Sequence, residues 1–491
     1  MVLFFGKDLS MDANKSSNKS TKNDNIIFDP LYGFIHLTTL EWEIIHTPFY
    51  QRLRWIKQIG FSCYTFPGAE HSRYGHSIGV LNNAHRILES IGIAVNDKEL
   101  FDDEFSSKEK KYHQSIRLAA LLHDLGTFCF SHTTEMAYIR YGDTTNSKNS
   151  KGHPDDHEHL GSYIIKNSKI ENGITFILEK YKIDPQLISD LVKGVAPSVL
   201  ANQILHSEVD CDRMDYLLRD AHYTGLNYGA YDRDYLLHHF TVVEQAGHRI
   251  LAIKHNALHC VEDFLNSRFA WYSQVVRSSR GAKYDALAEE LTFYLLEKGQ
   301  IYSYSQLLDM VKNDPLKFYT FNDQYFMNRI HTLFYEGFFD KEIRMKEITE
   351  SLLFEKSPRT IRVTEFQQRI LNQDDDILND KFRKKAHDKV KEIQAILKSK
   401  GTDKDWIVED IPKKNIIFVR SKKQVIKKQS GPNVMLERDP AKILTENGDV
   451  QLLVDVQNSI IANLQDVYNF VPNVYCSESA YQLLKQEKII D

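Results

Sequence analysis

A chain of 491 residues is long enough for one large core and a second lobe, and 42% apolar with 26% charged residues is ordinary for a globular protein. With 62 basic against 67 acidic residues the formal charge is −5, so there is no global basic signature for nucleic acid. The five cysteines, Cys63, Cys129, Cys211, Cys260 and Cys476, show no Cys-x-x-Cys spacing and read as reduced thiols, which argues against a disulfide framework.

Residues 1–25 open on a short apolar stretch without a basic lead and continue Ser/Asn/Lys-rich. They are expected to form a flexible arm, not a signal peptide. No run approaches the length of a membrane helix, so a cytoplasmic, membrane-free protein is expected. From Leu37 to Lys312 amphipathic or apolar helical stretches dominate. One of them, Ile116 to Leu122, reads as a buried helix running straight into His123-Asp124, with Gly126 relaxing the turn that follows. Tyr141 to Asp156 is a polar insertion expected to be a mobile loop able to close over a site. Its His153, and His159 just beyond it, read as solvated loop histidines. In the helix after Val209, residues 212, 215, 216, 219 and 220 fall near one face, so Asp212, Asp215, Tyr216, Arg219 and Asp220 can line one wall.

Arg249 to Lys254 is a short hairpin strand by pattern, and 313–405 is expected to stay helical, with a solvated charged run from Asp374 to Lys391. Trp406 to Ile411 and Asn415 to Arg420 are β-branched strands. The expected architecture is mainly α: a helical core over 26–312, then a helical extension and a smaller C-terminal α+β lobe over 313–491. Lysine pairs at 413/414, 422/423 and 427/428 offer a face for an activating nucleotide, a subunit or single-stranded nucleic acid, although lysines beside strands also serve to block edge pairing.

The chemistry concentrates in three segments: Glu70-His-Ser-Arg-Tyr-Gly-His76, Leu122-His-Asp-Leu-Gly126 and Val209-Asp-Cys-Asp-Arg-Met-Asp215. They supply His76, His123, Asp124 and Asp212, two imidazoles and two carboxylates, a suitable set for one divalent ion among Mg, Mn, Fe, Ni and Zn. His132 and His157 follow close by in sequence.

These segments resemble the HD-domain deoxynucleoside triphosphate triphosphohydrolases. The likeness also takes in Asp29-Pro-Leu-Tyr-Gly33, Thr47-Pro-Phe-Tyr-Gln-Arg-Leu-Arg-Trp-Ile-Lys-Gln-Ile-Gly60, Phe66 to Gly79, His157-Glu158 and Asp212 to Asp220, spanning about residues 28–280. It implies that an HD-type core holds the metal on His76, His123, Asp124 and Asp212. Asp124, His132 and His157 would be catalytic, the two histidines lying beside the attacked phosphate. Gln58, Arg73, Arg213, Tyr216, Asp220 and Arg268 would hold the nucleotide. The implied reaction is water attack on the α-phosphorus of a dNTP, giving deoxynucleoside and tripolyphosphate, in a homo-oligomer that is a dimer or tetramer.

The chain departs from the family pattern in three places. Thr127 replaces the histidine that commonly closes His-Asp-Leu-Gly-His, and Val276 and Ser278 stand where a tyrosine and a histidine are frequent. Those changes keep open a different HD enzyme, a phosphodiesterase or nuclease, and a non-catalytic nucleotide sensor or nucleic-acid-binding protein. The third concerns an activator site around Gln51, Arg52 and Arg54, where His46 stands at the position of an aspartate that reads guanine. Neutral imidazole offers a single acceptor where a carboxylate offers several, so an activator here need not be a guanine nucleotide.

Overall fold

The computed structural model describes residues 25–93, 107–144, 154–245, 247–278, 280–363, 375–411, 416–419, 440–464, 468–469 and 472–490. The N-terminal arm up to residue 24, the middle of the polar insertion with His153, and the three lysine pairs lie outside the described residues.

The fold is mainly α, as its sequence pattern predicts. Three helices set the site. Lys108–Leu122 begins at Ser107, whose hydroxyl accepts from Lys110 N, and is buried along every residue from His113 to Leu122. Its last turns, Leu118 to Leu122, are wholly apolar and buried, and they deliver His123 and Asp124 at the helix end. Arg73–Ser90 packs against it and against Cys211–Thr224. The latter is capped by Asp210, whose side chain accepts from Arg213 N, and is stopped by Gly225 at φ +73°. Arg73–Ser90 and Cys211–Thr224 meet closely at Gly79, where an added Cβ would lie 1.8 Å from Asp215 Oδ1.

A buried ion pair fixes the short helix Thr39–Ile45 to this group. Glu41 receives Arg117 Nε and Nη2 at 2.7 Å each and Gln114 Nε2 at 2.8 Å. Burial pushes the Glu41 carboxyl up, but Arg117 and the surrounding donors hold it below the ordinary value.

Sheet structure is small and peripheral. Phe240–Gln245 and His248–Lys254 form an antiparallel hairpin, matching the expected strand, and Lys442–Leu444 adds to its edge in parallel, Ile253 opposite Ile443, before pairing antiparallel with Val450–Leu452. A second sheet sets Asn473–Cys476 between Arg359–Arg362 and Ile407–Asp410. The uninterrupted helical run expected over 313–405 is therefore corrected. The helix Ile343–Phe354 ends, Pro358 blocks its resumption, and Arg359–Arg362 is a strand carrying the β-branched Thr360 and Ile361. The main hydrophobic core runs from Ile35 to Ile461, so residues of the C-terminal segments such as Phe418, Ile443 and Leu453 share it, while Ile361, Val390, Val474 and Leu484 belong to a second, smaller cluster. Among the described residues no helix is long and apolar enough to cross a membrane.

Candidate metal centre and the adjoining histidine pair

Three separate helices bring the four expected metal ligands together. His76 Nε2 lies 3.1 Å from Asp212 Oδ1 and 3.5 Å from Asp124 Oδ2; His123 Nε2 lies 3.6 and 3.4 Å from the same two oxygens. The two imidazole nitrogens are 3.3 Å apart. The donor atoms of His76, His123 and Asp212 lie within 4.8 Å of one another, close enough to share one divalent cation, and Asp124 Oδ2 approaches both imidazoles beside them. His76 and Asp124 are buried, and His123 and Asp212 are half-buried, which leaves the cluster open on one side.

The remaining ring nitrogens fix the rings. His123 Nδ1 bonds the Ala120 carbonyl at 2.8 Å, and His76 Nδ1 bonds Asp215 Oδ2 at 2.7 Å, so both Nε2 atoms face the cluster. Asp215 is held in turn by Arg219 through Nε at 2.8 Å and Nη2 at 3.0 Å, and Arg219 also reaches Asp29 at 2.9 Å. Without a cation, the surrounding carboxylates act as counter-ions to the imidazoles. Burial lowers both histidine pKa values, but Asp212 and Asp215 raise that of His76 above ordinary, and Asp124 and Asp212 raise that of His123 further. Burial works against Asp124 and Asp212 as well, and cationic neighbours, Arg73 for the first and His123 for the second, hold both well below the carboxylate range.

Beside this cluster stands a second group. Glu135 Oε2 takes His132 Nδ1 at 2.7 Å, and Oε1 takes His157 Nδ1 at 2.6 Å and His157 N at 2.8 Å. The two rings meet edge to face at 5.0 Å. The three residues lie close enough to hold a metal, but each Glu135 oxygen already serves one imidazole at hydrogen-bond distance, the arrangement of a proton device. Burial pulls the His157 pKa down, the Glu135 charge pushes harder, with Asp124 adding to it, and the value settles at about 9. Two consecutive non-glycine residues at positive φ, Phe130 and Ser131, make the turn that presents His132. Phe130 N is held at 2.6 Å by Asp323, from a helix far along the chain.

A protein-family model, the HD domain, matches residues 73–220, the span that holds all four ligands and both histidines. Residues 73–220 are thus an HD-domain match within the chain. The uncharacterized protein YwfO of Bacillus subtilis is 32% identical over 262 residues, 52% of this chain and 53% of its own. A protein of Dictyostelium discoideum named as a deoxynucleoside triphosphate triphosphohydrolase SAMHD1 homolog is 33% identical over 223 residues, 44% of this chain and 38% of its own. The chain thus spans about half the length, or less, of these curated relatives. A crystal structure of a hypothetical protein from Aquifex aeolicus shares the fold, with a TM-score of 0.64 and 23% identity over 95% of this chain and all of that one.

The HD core places the other expected residues unequally. Arg73 is buried and grips Asp124, Ser131 Oγ at 2.9 Å and the Gln58 carbonyl at 3.2 Å, tying the metal cluster to the His132 turn. Arg213 pairs with Asp210 and donates to the Ser207 carbonyl at 2.8 Å. Tyr216 lies on Trp271, ring centroids 4.6 Å apart. Arg268 donates to the Phe418 carbonyl at 2.9 Å. Both oxygens of the fully buried Asp220 are taken within the chain, by His71 Nε2 at 2.7 Å and Trp271 Nε1 at 2.9 Å. Thr127 is buried, and its hydroxyl has no hydrogen-bond partner among the described residues. Val276 closes a π-helical turn, Tyr272–Val276, and Ser278 caps Gly281 N at 3.2 Å.

The activator candidates separate. His46 and Arg54 are exposed; Arg54 donates to Gln51 at 2.9 Å and lies 3.5 Å over the Tyr74 ring. Arg52 is wholly buried. It donates to the carbonyls of Phe321 at 2.8 Å and Leu125 at 2.9 Å, so it is neither a surface residue nor presented to a ligand. Sequence reasoning missed Glu135 and the bond from His71 to Asp220. Glu135 has one signal in the sequence, its place one helical turn beyond His132, and the other partner arrives only with the fold.

Proposed function

We propose that this protein hydrolyses deoxynucleoside triphosphates to deoxynucleoside and tripolyphosphate. The observation that carries this reading is a His/Asp cluster able to hold a divalent cation with the His157–Glu135 pair near enough for Asp124 to act on His157. A divalent cation in the cage supplies Lewis acidity toward a phosphoryl oxygen and toward water. Arg73, Arg213 and Arg268 neutralise the triphosphate. Water oxygen forms the new bond to the α-phosphorus and gives up a proton to solvent, the bond to the sugar 5′-oxygen breaks, and the His157 imidazolium, held in line by Glu135, gives its proton to that leaving oxygen. Asp124 both contributes to the cage and orients Arg73. A homo-oligomer and an activator site formed by His46, Gln51 and Arg54 extend the same reading.

Incubation of the Mg²⁺- or Mn²⁺-loaded protein with each dNTP alone and with all four together, resolved by ion exchange, tests it. Tripolyphosphate formation lost in Asp124→Ala is expected, and faster turnover in the mixture would reveal an activator. Cleavage of oligonucleotides or cyclic nucleotides with no tripolyphosphate would instead identify an HD phosphodiesterase.

A further inference from the structure

We propose, resting on the triphosphohydrolase reading, that Asp323 is a positioning residue for His132: its carboxylate sets the turn that carries the ring to the attacked phosphate. The starting point is the way one helix begins. His132 opens the helix His132–Tyr141, and Ser131 at its cap position has φ +58° and makes no side-chain bond to the helix. The residue before it, Phe130, also has a positive φ, at +54°. Residues with a Cβ rarely adopt that region, and they stay there where their surroundings impose it. The His132 side chain is 61% exposed, so packing does little to fix the ring and its place follows from the backbone beneath it.

A closed ring of hydrogen bonds imposes the turn. Asp323 Oδ1 takes Phe130 N at 2.6 Å, and its Oδ2 takes Lys57 N at 2.8 Å. The Ser131 hydroxyl closes the ring by donating to the Lys57 carbonyl at 2.6 Å, and it accepts from Arg73 Nε at 2.9 Å. Arg73 also grips Asp124, so the ring is joined to the metal cluster through a single side chain. Asp323 is free for this task because Asn322 already caps its helix, Asp323–Tyr335, by accepting from Gln324 N and Tyr325 N. Arg52 fixes the approach to that helix, donating to the Phe321 carbonyl just before it and to the Leu125 carbonyl beside Asp124. On the other side of His132, Asp285 Oδ1 takes the Thr133 hydroxyl at 2.8 Å, a second carboxylate on the same turn. Both carboxylates stand beyond the HD match, which ends at residue 220. Burial pushes the Asp323 carboxyl up to about 7 against the pull of its two N–H donors, so the protein bears a cost to keep two acceptors at this point.

The metal-loaded full chain would be compared with its Asp323→Asn, Asp323→Glu and Thr133→Val variants. Turnover of dNTPs is read by ion exchange, metal content after dialysis, and the histidine rings by selective ¹⁵N labelling, with His132→Gln assigning the His132 signals. Asp323→Asn keeps one acceptor and turns an N–H toward the other donor, so it should lower kcat about tenfold while KM and metal content stay as in the parent. Asp323→Glu, with both acceptors on a longer arm, should recover part of that loss. Thr133→Val keeps the side-chain shape without the bond to Asp285, and a fall of about threefold is expected. Wherever kcat falls, the His132 ring signals should move or broaden while those of His76 and His123 stay in place. A merely structural role would lower kcat and metal content together and leave the His132 signals of the folded protein unmoved. That result overturns the inference, as does an unchanged kcat in both Asp323→Asn and Thr133→Val. Should Asp323→Asn fail to fold, Asp323→Glu and Thr133→Val decide by the same criteria. Moved His132 signals with no tripolyphosphate from the parent support the positioning role and refute the reaction, whereas unmoved signals refute the inference whatever the parent's activity.

Discussion

Replacing Glu135 by Gln removes the charge that keeps His157 protonated while leaving the ring as buried as before. Raising His157 from an ordinary 6.5 to about 9 represents about 3 kcal/mol of net preference for the imidazolium, and that preference is the sum of an opposing burial cost and a larger attraction to Glu135. With the Glu135 attraction gone, burial is opposed only by the smaller pulls of Asp124 and Glu158, and the pKa falls toward the ordinary value or below. At pH 7.5 about a tenth or less of the protein then carries the His157 proton, so a step that needs the imidazolium slows about tenfold or more. The sign follows from the direction of the shift: the protonated form prevails below about 9 in the parent, so the basic limb of kcat/KM should lie near pH 9 and move toward pH 6.5 or below in Glu135→Gln. Tripolyphosphate release assayed from pH 5.5 to 9.5 gives the limb, and selective ¹⁵N labelling of histidine follows the ring itself without relying on turnover. A basic limb and a His157 titration that both stay near 9 in Glu135→Gln would refute the reasoning.

Gly79→Ala drives a Cβ into Asp215 and should loosen the carboxylate that orients His76; weakening of metal affinity by about 10- to 100-fold, measured by metal content after dialysis, is the expected result. Arg52→Met should lower stability by about 3 kcal/mol, two charge-assisted bonds at about 1.5 kcal/mol each, seen as a urea midpoint shift. If Arg52→Met instead left stability intact and abolished activation by a nucleotide, Arg52 would be a ligand residue. Metal loading should weaken as pH falls from 8 to 5.5, because the raised pKa values of His76 and His123 make protons strong competitors for the same nitrogens; equal affinity at both ends, measured by calorimetry, would contradict the cage.

The His/Asp cluster that could hold a metal was legible in the sequence because its residues are rare in combination: a largely apolar helix that ends on His-Asp, and an acidic helix face that lines a wall. The helical character of the core was legible for the same reason, in its hydrophobic period. What lay hidden depends on partners distant in sequence. Arg52 and Arg54 look alike as a surface pair, yet Phe321 and Leu125 draw the first into the core while Tyr74 keeps the second outside. Asp323 supports the His132 turn across 193 residues, and nothing near either residue announces the other. The strand Arg359–Arg362 was missed because four residues are too few to show a period between long helices.

The parallel pairing of Ile253 with Ile443 has a consequence for how the chain is made. Its two strands are separated by about 190 residues, so a ribosome has finished the HD core long before the third strand of that sheet leaves the exit tunnel. Until then the His248–Lys254 edge, four of whose residues are buried in the finished protein, stands open to pairing with a neighbouring nascent chain. Premature termination before residue 442 should therefore leave a domain that holds its metal ligands but sticks to its siblings, and the yield of such fragments should fall with rising expression level.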